Sequence, residues 1–200
     1  MAELLTFVQL GFRHITDLDA MDHILFLFAL SAIYRPRDWR NALWVVTAFT
    51  VGHSITLALA VTGAVRLPTS LIEFLIPITI AVTCIENIIV ADRQRAPFHG
   101  GYRPVFAGVF GLVHGAGFAN YLRDLFVDHV ALPLFGFNIG IELGQLVVLA
   151  FAALALIAID RVIGVWRRAG QSSVLRMRVV GISAIVLVVA ARWAVQRNPW

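Results

Sequence analysis

Apolar side chains run in long blocks along this chain, and arginines, prolines and short charged clusters end each block. A helix needs roughly 20 apolar residues to cross a hydrocarbon core, so the blocks predict about six transmembrane helices. They run approximately from Met21 to Tyr34, Asn41 to Gly63, Ser70 to Ala91, Pro104 to Tyr121, Leu132 to Ile159 and Val174 to Val195. The first is short and the fifth is long enough to tilt or to begin as a loop around Pro133. Ahead of them, residues 1–13 carry Leu4, Leu5, Phe7, Val8 and Leu10 with no basic start and no small-residue cleavage site. We read this stretch as an N-terminal surface helix, not a signal peptide. The expected fold is an all-α polytopic membrane helix bundle forming a single integral-membrane domain over residues 1–200, with no linker or low-complexity tract to divide it.

Composition agrees with the pattern. Of the 200 residues, 60% are hydrophobic and only 14% are charged, too few to coat a water-soluble surface. All 16 basic residues are arginines lying almost entirely between or at the ends of the apolar blocks, so the net charge of +4 describes membrane flanks and not a nucleic-acid surface. The one cysteine, Cys84, sits inside an apolar block, which excludes a disulfide framework and a thiolate metal cluster. No Gly-rich phosphate loop is present, so this chain has no ATP site.

Short loops rich in arginine stay in the cytoplasm. The first, third and fifth connections with their helix ends hold Arg35, Arg37, Arg40, Arg93, Arg95, Arg103, Arg161, Arg167, Arg168, Arg176 and Arg178, against five arginines on the other side. The expected location is therefore the inner membrane of a bacterium, with both termini periplasmic.

A titratable group at mid-membrane costs at least ~2.5 kcal/mol on insertion scales, so each one needs a partner or a function. The second span holds Thr50, His53 and Ser54, the third Glu73 and Glu86, the fourth His114, and the fifth Asn138, Glu142 and Gln145. Asp19, Asp22 and His23 lie at the entry of the first span, preceded by His14. At about 1.5 Å per residue, the histidines and all of these carboxylates except Glu86 fall in the outer half. One polar site opening to the periplasmic side would gather them, with Glu86 and Asn87 near the inner face as a candidate exit. Thr50, His53 and Ser54 share a helical face, as do Asn138, Glu142 and Gln145. Ala107, Gly111, Gly115 and Ala119 form a small-xxx-small row that lets a neighbouring helix approach beside His114. Phe49 to His53 and Phe110 to His114 repeat one F-x-x-x-H spacing on two outward-running spans, a faint internal echo.

Imidazole with carboxylate, and no thiolate, suits nickel, cobalt, zinc, iron or manganese better than copper(I). On a continuous helix, nine residues place His14 roughly 180° from His23, so the two meet only if the chain turns between them. The donor set fits two functions. One is a permease for a divalent metal ion. The other is an intramembrane metalloenzyme, a zinc or dinuclear hydrolase-like site in which a glutamate serves as base.

Several ordered blocks resemble the HupE/UreJ family of bacterial membrane proteins associated with nickel or cobalt supply. They are GFRHI at 11–15, MDHILFLFAL at 21–30, FTVGHSITL at 49–57, IEFLIPITI at 72–80, FGLVHGAGFANYLRDL at 110–125 and FNIGIELGQL at 137–146. The resemblance implies uptake of Ni(II) or Co(II) across the inner membrane. It also implies that His14, Asp22, His23, His53, Glu73, His114 and Glu142 occupy the family's polar positions; Asp19, Ser54, Asn138 and Gln145, from their own spacing and depth, are candidate supporting residues. Where family members commonly place a histidine six residues before the Asp-His pair, here His14 stands eight before Asp22, so either His14 or Asp19 completes the set.

Overall fold

A computed structural model describes residues 2–18, 21–92, 101–123, 130–167 and 170–200. They form seven helices: α1 (Ala2–Thr16), α2 (Asp22–Ser31), α3 (Trp39–Val61), α4 (Thr69–Asp92), α5 (Tyr102–Arg123), α6 (Ala131–Arg167) and α7 (Gln171–Gln196). Each of the six expected spans has its helix, α2 through α7. Among the described residues, four stretches are long and apolar enough to cross a membrane, Pro36–Val61, Thr69–Ala91, Ala131–Val165 and Ser172–Gln196. Helix α5 is 22 residues long, but its glycines and alanines replace bulk where it lies against α3. A short 3-10 turn at Pro36–Asp38 leads into α3. Gly63, at φ 77°, ends it by taking a left-handed conformation that lets Val65 N–H reach back to the Leu59 carbonyl.

Helices pack in pairs wherever glycine brings backbones together. A methyl group on Gly52 would overlap the Gly108 carbonyl oxygen, one on Gly111 that of Phe49, and one on Gly115 that of His53. From Phe49 against Gly111 to His53 against Gly115 the residue numbers rise together, as they do from Ala48 near Gly108 to Gly52 near Leu112, so α3 and α5 run parallel. The small-residue row of α5 therefore faces α3 through Gly111 and Gly115. Helices α4 and α7 run antiparallel, joined by Asn87 Nδ2 to Ser183 Oγ at 3.3 Å near one end and Phe74 against Trp200 near the other.

The N-terminal helix departs from the expectation of a surface element. Gly11 abuts the Phe137 carbonyl, Gly140 the Val8 carbonyl, and Gly144 the side chain of Ile15. These contacts set α1 lengthwise and parallel against the first half of α6. Helix α2 continues along the same neighbour, with Ile24 and Phe28 beside Val148, Phe151 and Ala155. So α1 and α2 are consecutive parts of one discontinuous element laid along the 37-residue α6, α1 ending at Thr16 and α2 beginning at Asp22. Glycine on both partners explains the docking: the close approach buries Gly11 and Ile15 against α6, while Glu3, Leu5, Thr6, Gln9 and Arg13 stay exposed on the opposite face.

Arginine fixes the far end of α2. The guanidinium of Arg178, itself buried, donates to the Ala32 and Tyr34 carbonyls at 2.8–3.2 Å and to Asp160, satisfying carbonyls that the end of α2 leaves open.

Candidate metal centre

The break between α1 and α2 is where the histidines meet. His14 is in the last turn of α1 and His23 in the first turn of α2, and their ring centroids are 4.6 Å apart. From α3, His53 comes to 6.0 Å from His14 and 6.3 Å from His23, and from α5 His114 comes to 5.2 Å from His23. Three rings, His14, His23 and His53, bring one nitrogen each within 4.8 Å of one another. Nitrogens bound at about 2.0–2.1 Å to one tetrahedral ion would lie about 3.4 Å apart. A contraction of at most about 1.4 Å closes that gap.

These rings are buried, yet most of their nitrogens have no partner. Nε2 of His14, both nitrogens of His23 and His53, and Nδ1 of His114 lack any hydrogen bond. Buried polar atoms are normally paired, and an orphan costs roughly 1–3 kcal/mol. Each neutral ring offers one lone pair, so the four histidines together present up to four nitrogen donors to a cation. The walls are aromatic: Phe118 lies 4.1 Å from His14, Phe49 and Phe26 lie 5.1 and 5.3 Å from His114, and Phe137 stacks on His53 at 6.4 Å.

The tautomer of His114 follows from its neighbour. Thr79 Oγ1, on α4, donates its hydrogen to the Ile76 carbonyl at 2.7 Å and lies 3.0 Å from His114 Nε2. With its own proton engaged, the hydroxyl accepts from Nε2–H, leaving the Nδ1 lone pair free toward the other rings. Orienting a ligand in this way is the usual role of an outer hydrogen-bond partner. Thr79 was missed in the sequence, although its spacing of four residues from Thr83 and eight from Asn87 marks one polar face of α4.

The carboxylates lie elsewhere. Asp22 faces Arg197, whose Nη1 is 3.1 and 3.2 Å from its two oxygens. Glu73 on α4 and Glu142 on α6 are exposed. Asp19 lies outside the described residues. Ser54 donates to the Thr50 carbonyl at 2.7 Å, and Thr50 lies 2.8 Å from Gln145 Oε1, tying α3 to α6. Gln145 is fully buried and Asn138 half-buried, with Gln145 Nε2 and Asn138 Oδ1 unpartnered.

Glu86 and Asn87 belong to a separate network. Arg103, buried at the start of α5, donates to Glu86 and, at 2.6 Å, to Asn87 Oδ1, while Tyr102 also donates to Glu86. Asn87 Nδ2 in turn donates to the Ala29 carbonyl at 2.7 Å. Thr83, which donates to the Thr79 carbonyl, stands between this network and His114. Thr79, Thr83 and Asn87 are all buried and form a polar stripe from the histidines to the ion pair.

The fold and the cluster together define a helical membrane protein with four imidazoles gathered inside its bundle. The chain belongs to the HupE / UreJ protein family, which it matches over residues 1–197. No curated protein and no solved structure matches it.

Proposed function

We propose that this protein is an inner-membrane permease for a divalent transition-metal ion of the nickel and cobalt class, with His14, His23, His53 and His114 as the substrate-binding ligands. The carrying observation is the set of unpartnered imidazole nitrogens, with one ring nitrogen each of His14, His23 and His53 within 4.8 Å of one another and the His114 ring 5.2 Å from His23. An all-nitrogen set suits nickel, cobalt or zinc and disfavours the hard oxygen-seeking ions. Membership of the HupE / UreJ family supports metal supply as the role. The arginine asymmetry supports periplasmic termini.

A permease also needs a way out, and the stripe of Thr79, Thr83 and Asn87 supports one, ending at Glu86 and Arg103. Opening it requires the Arg103 guanidinium to move, because a fixed cation there repels a passing dication. The metalloenzyme reading has less support. A hydrolytic site needs a base beside the metal, whereas Glu73 and Glu142 are exposed and Asp22 is held by Arg197.

Reconstituted vesicles containing a trapped chelating dye test the reading with Ni(II), Co(II) and Zn(II) supplied outside. Wild type should admit at least one ion, and the double variant His53→Ala, His114→Ala should admit none. Stoichiometric metal binding without entry of any of the three ions would refute transport and favour the enzyme.

A further inference from the structure

Two cavities outside the histidine cluster join along one side of α6. The first, about 560 Å³, lies at the arginine-rich end and is lined by Arg35, Arg37, Asp160, Arg161 and Gly164. The second, about 420 Å³, is walled by Trp39, Leu43, Leu149, Ala153 and Leu156 between α3 and α6. Arg35, Pro36 and Ile157 line both, so the two are a single groove with a basic mouth and an apolar floor.

Its dimensions and charge identify what it holds. From Leu146 to Ile157 the apolar part follows eleven helical rises of α6, roughly 16 Å. That is about half of a ~30 Å hydrocarbon core, the depth of one leaflet. At the mouth, Asp160 and Arg178 neutralise each other, and Arg178 is further committed to the Ala32 and Tyr34 carbonyls. Among the described residues, Arg35, Arg37 and Arg161 then face only one further carboxylate, Asp38, so positive charge remains in excess. Arg37 is largely exposed and only 3.9 Å from Asp38, a loose pairing that leaves its donors available. A soluble anion would use the mouth and leave the floor empty, and an uncharged lipid would use the floor and leave the arginines unpaired. We propose that this groove is a binding site for an acidic phospholipid, with the headgroup phosphate between Arg35, Arg37 and Arg161 and one acyl chain lying between α3 and α6.

The site is independent of the metal centre and of its function. Two measurements test it on the full chain. In native mass spectrometry against equal amounts of phosphatidylglycerol and phosphatidylcholine, wild type should retain the anionic lipid preferentially. Arg35→Gln and Arg161→Gln should each reduce that preference about fivefold, as expected for one arginine near an anionic lipid. Arg40→Gln, at the same end but outside the groove, should leave it unchanged. Second, phosphatidylglycerol with brominated acyl chains should quench the fluorescence of Trp39, read as the difference between wild type and Trp39→Phe. Glycerol phosphate, which has no chains, should not displace the lipid. Equal retention of both lipids, equal loss with Arg40→Gln, displacement by glycerol phosphate, or a groove closed to lipid by a second copy of the chain would each overturn the proposal.

Discussion

Substituting alanine for Gly115 places one methyl group where α5 crosses α3 at the level of the histidines. That carbon would overlap the His53 carbonyl oxygen and lie 2.9 Å from both the carbonyl carbon and Cα of His53. Ordinary van der Waals contact begins near 3.4 Å, and the obstacle is backbone, so no side chain can swing aside. The two helices must part by about 1 Å. Overpacking of this kind costs about 1–3 kcal/mol, which for a chain of this size lowers Tm by roughly 2–4 °C per kcal/mol. The displacement also moves His53 away from His14 and His23 by far more than the ~0.2 Å tolerance of metal–ligand distances. Metal affinity should therefore fall at least tenfold. Gly181→Ala on α7 is the control, since nothing lies within 4 Å of the added carbon and alanine favours a helix by up to ~1 kcal/mol. Thermal melting in detergent and titration calorimetry with Ni(II) read the two effects. Wild-type melting and affinity in Gly115→Ala, or equal damage from Gly181→Ala, would refute the close-packing argument.

Thr79→Val removes the acceptor for His114 Nε2–H and should weaken metal binding about 10–100-fold. Thr79→Ser should restore it, a rescue that a purely steric role would not produce. Glu86→Gln should slow metal entry into vesicles while leaving calorimetric affinity for the histidine cluster unchanged; a parallel loss of affinity would place Glu86 in the binding site instead. Arg178→Ala leaves Asp160 and the end of α2 without their donor and should cost about 3 kcal/mol, measured as a lower melting temperature. A reporter active only in the periplasm and fused after Trp200 should give signal, and a silent one would reverse the orientation drawn from the arginines.

Local chemistry settles much of this protein. Apolar runs bounded by arginine specify helices wherever they fold, because each depends only on neighbouring residues and on the need to satisfy backbone groups internally. For the same reason the positions of α3 to α7 were legible, as was the small-residue row that lets α5 approach α3. The histidines could be marked as costly inside a membrane without knowing where they point.

Which marked residues meet depends on helix rotation and on contacts between distant segments. Asn138, Glu142 and Gln145 share one face by spacing, yet α6 turns Phe137, Ile141 and Gln145 inward, and Glu142, one step of about 100° beyond Ile141, is exposed. The glycine contacts with α1 and the bond from Thr50 set that rotation, and neither partner is near in sequence. In the same way, His14 and His23 would point apart on an unbroken helix. They face each other because α1 and α2 are separately docked on α6 and the chain turns between them. The amino-acid sequence thus determined the helices and the imidazole donors. Only tertiary packing brought four histidines together, paired Asp22 with Arg197 and left Glu73 and Glu142 exposed, because long-range backbone contacts decide which side of each helix is buried.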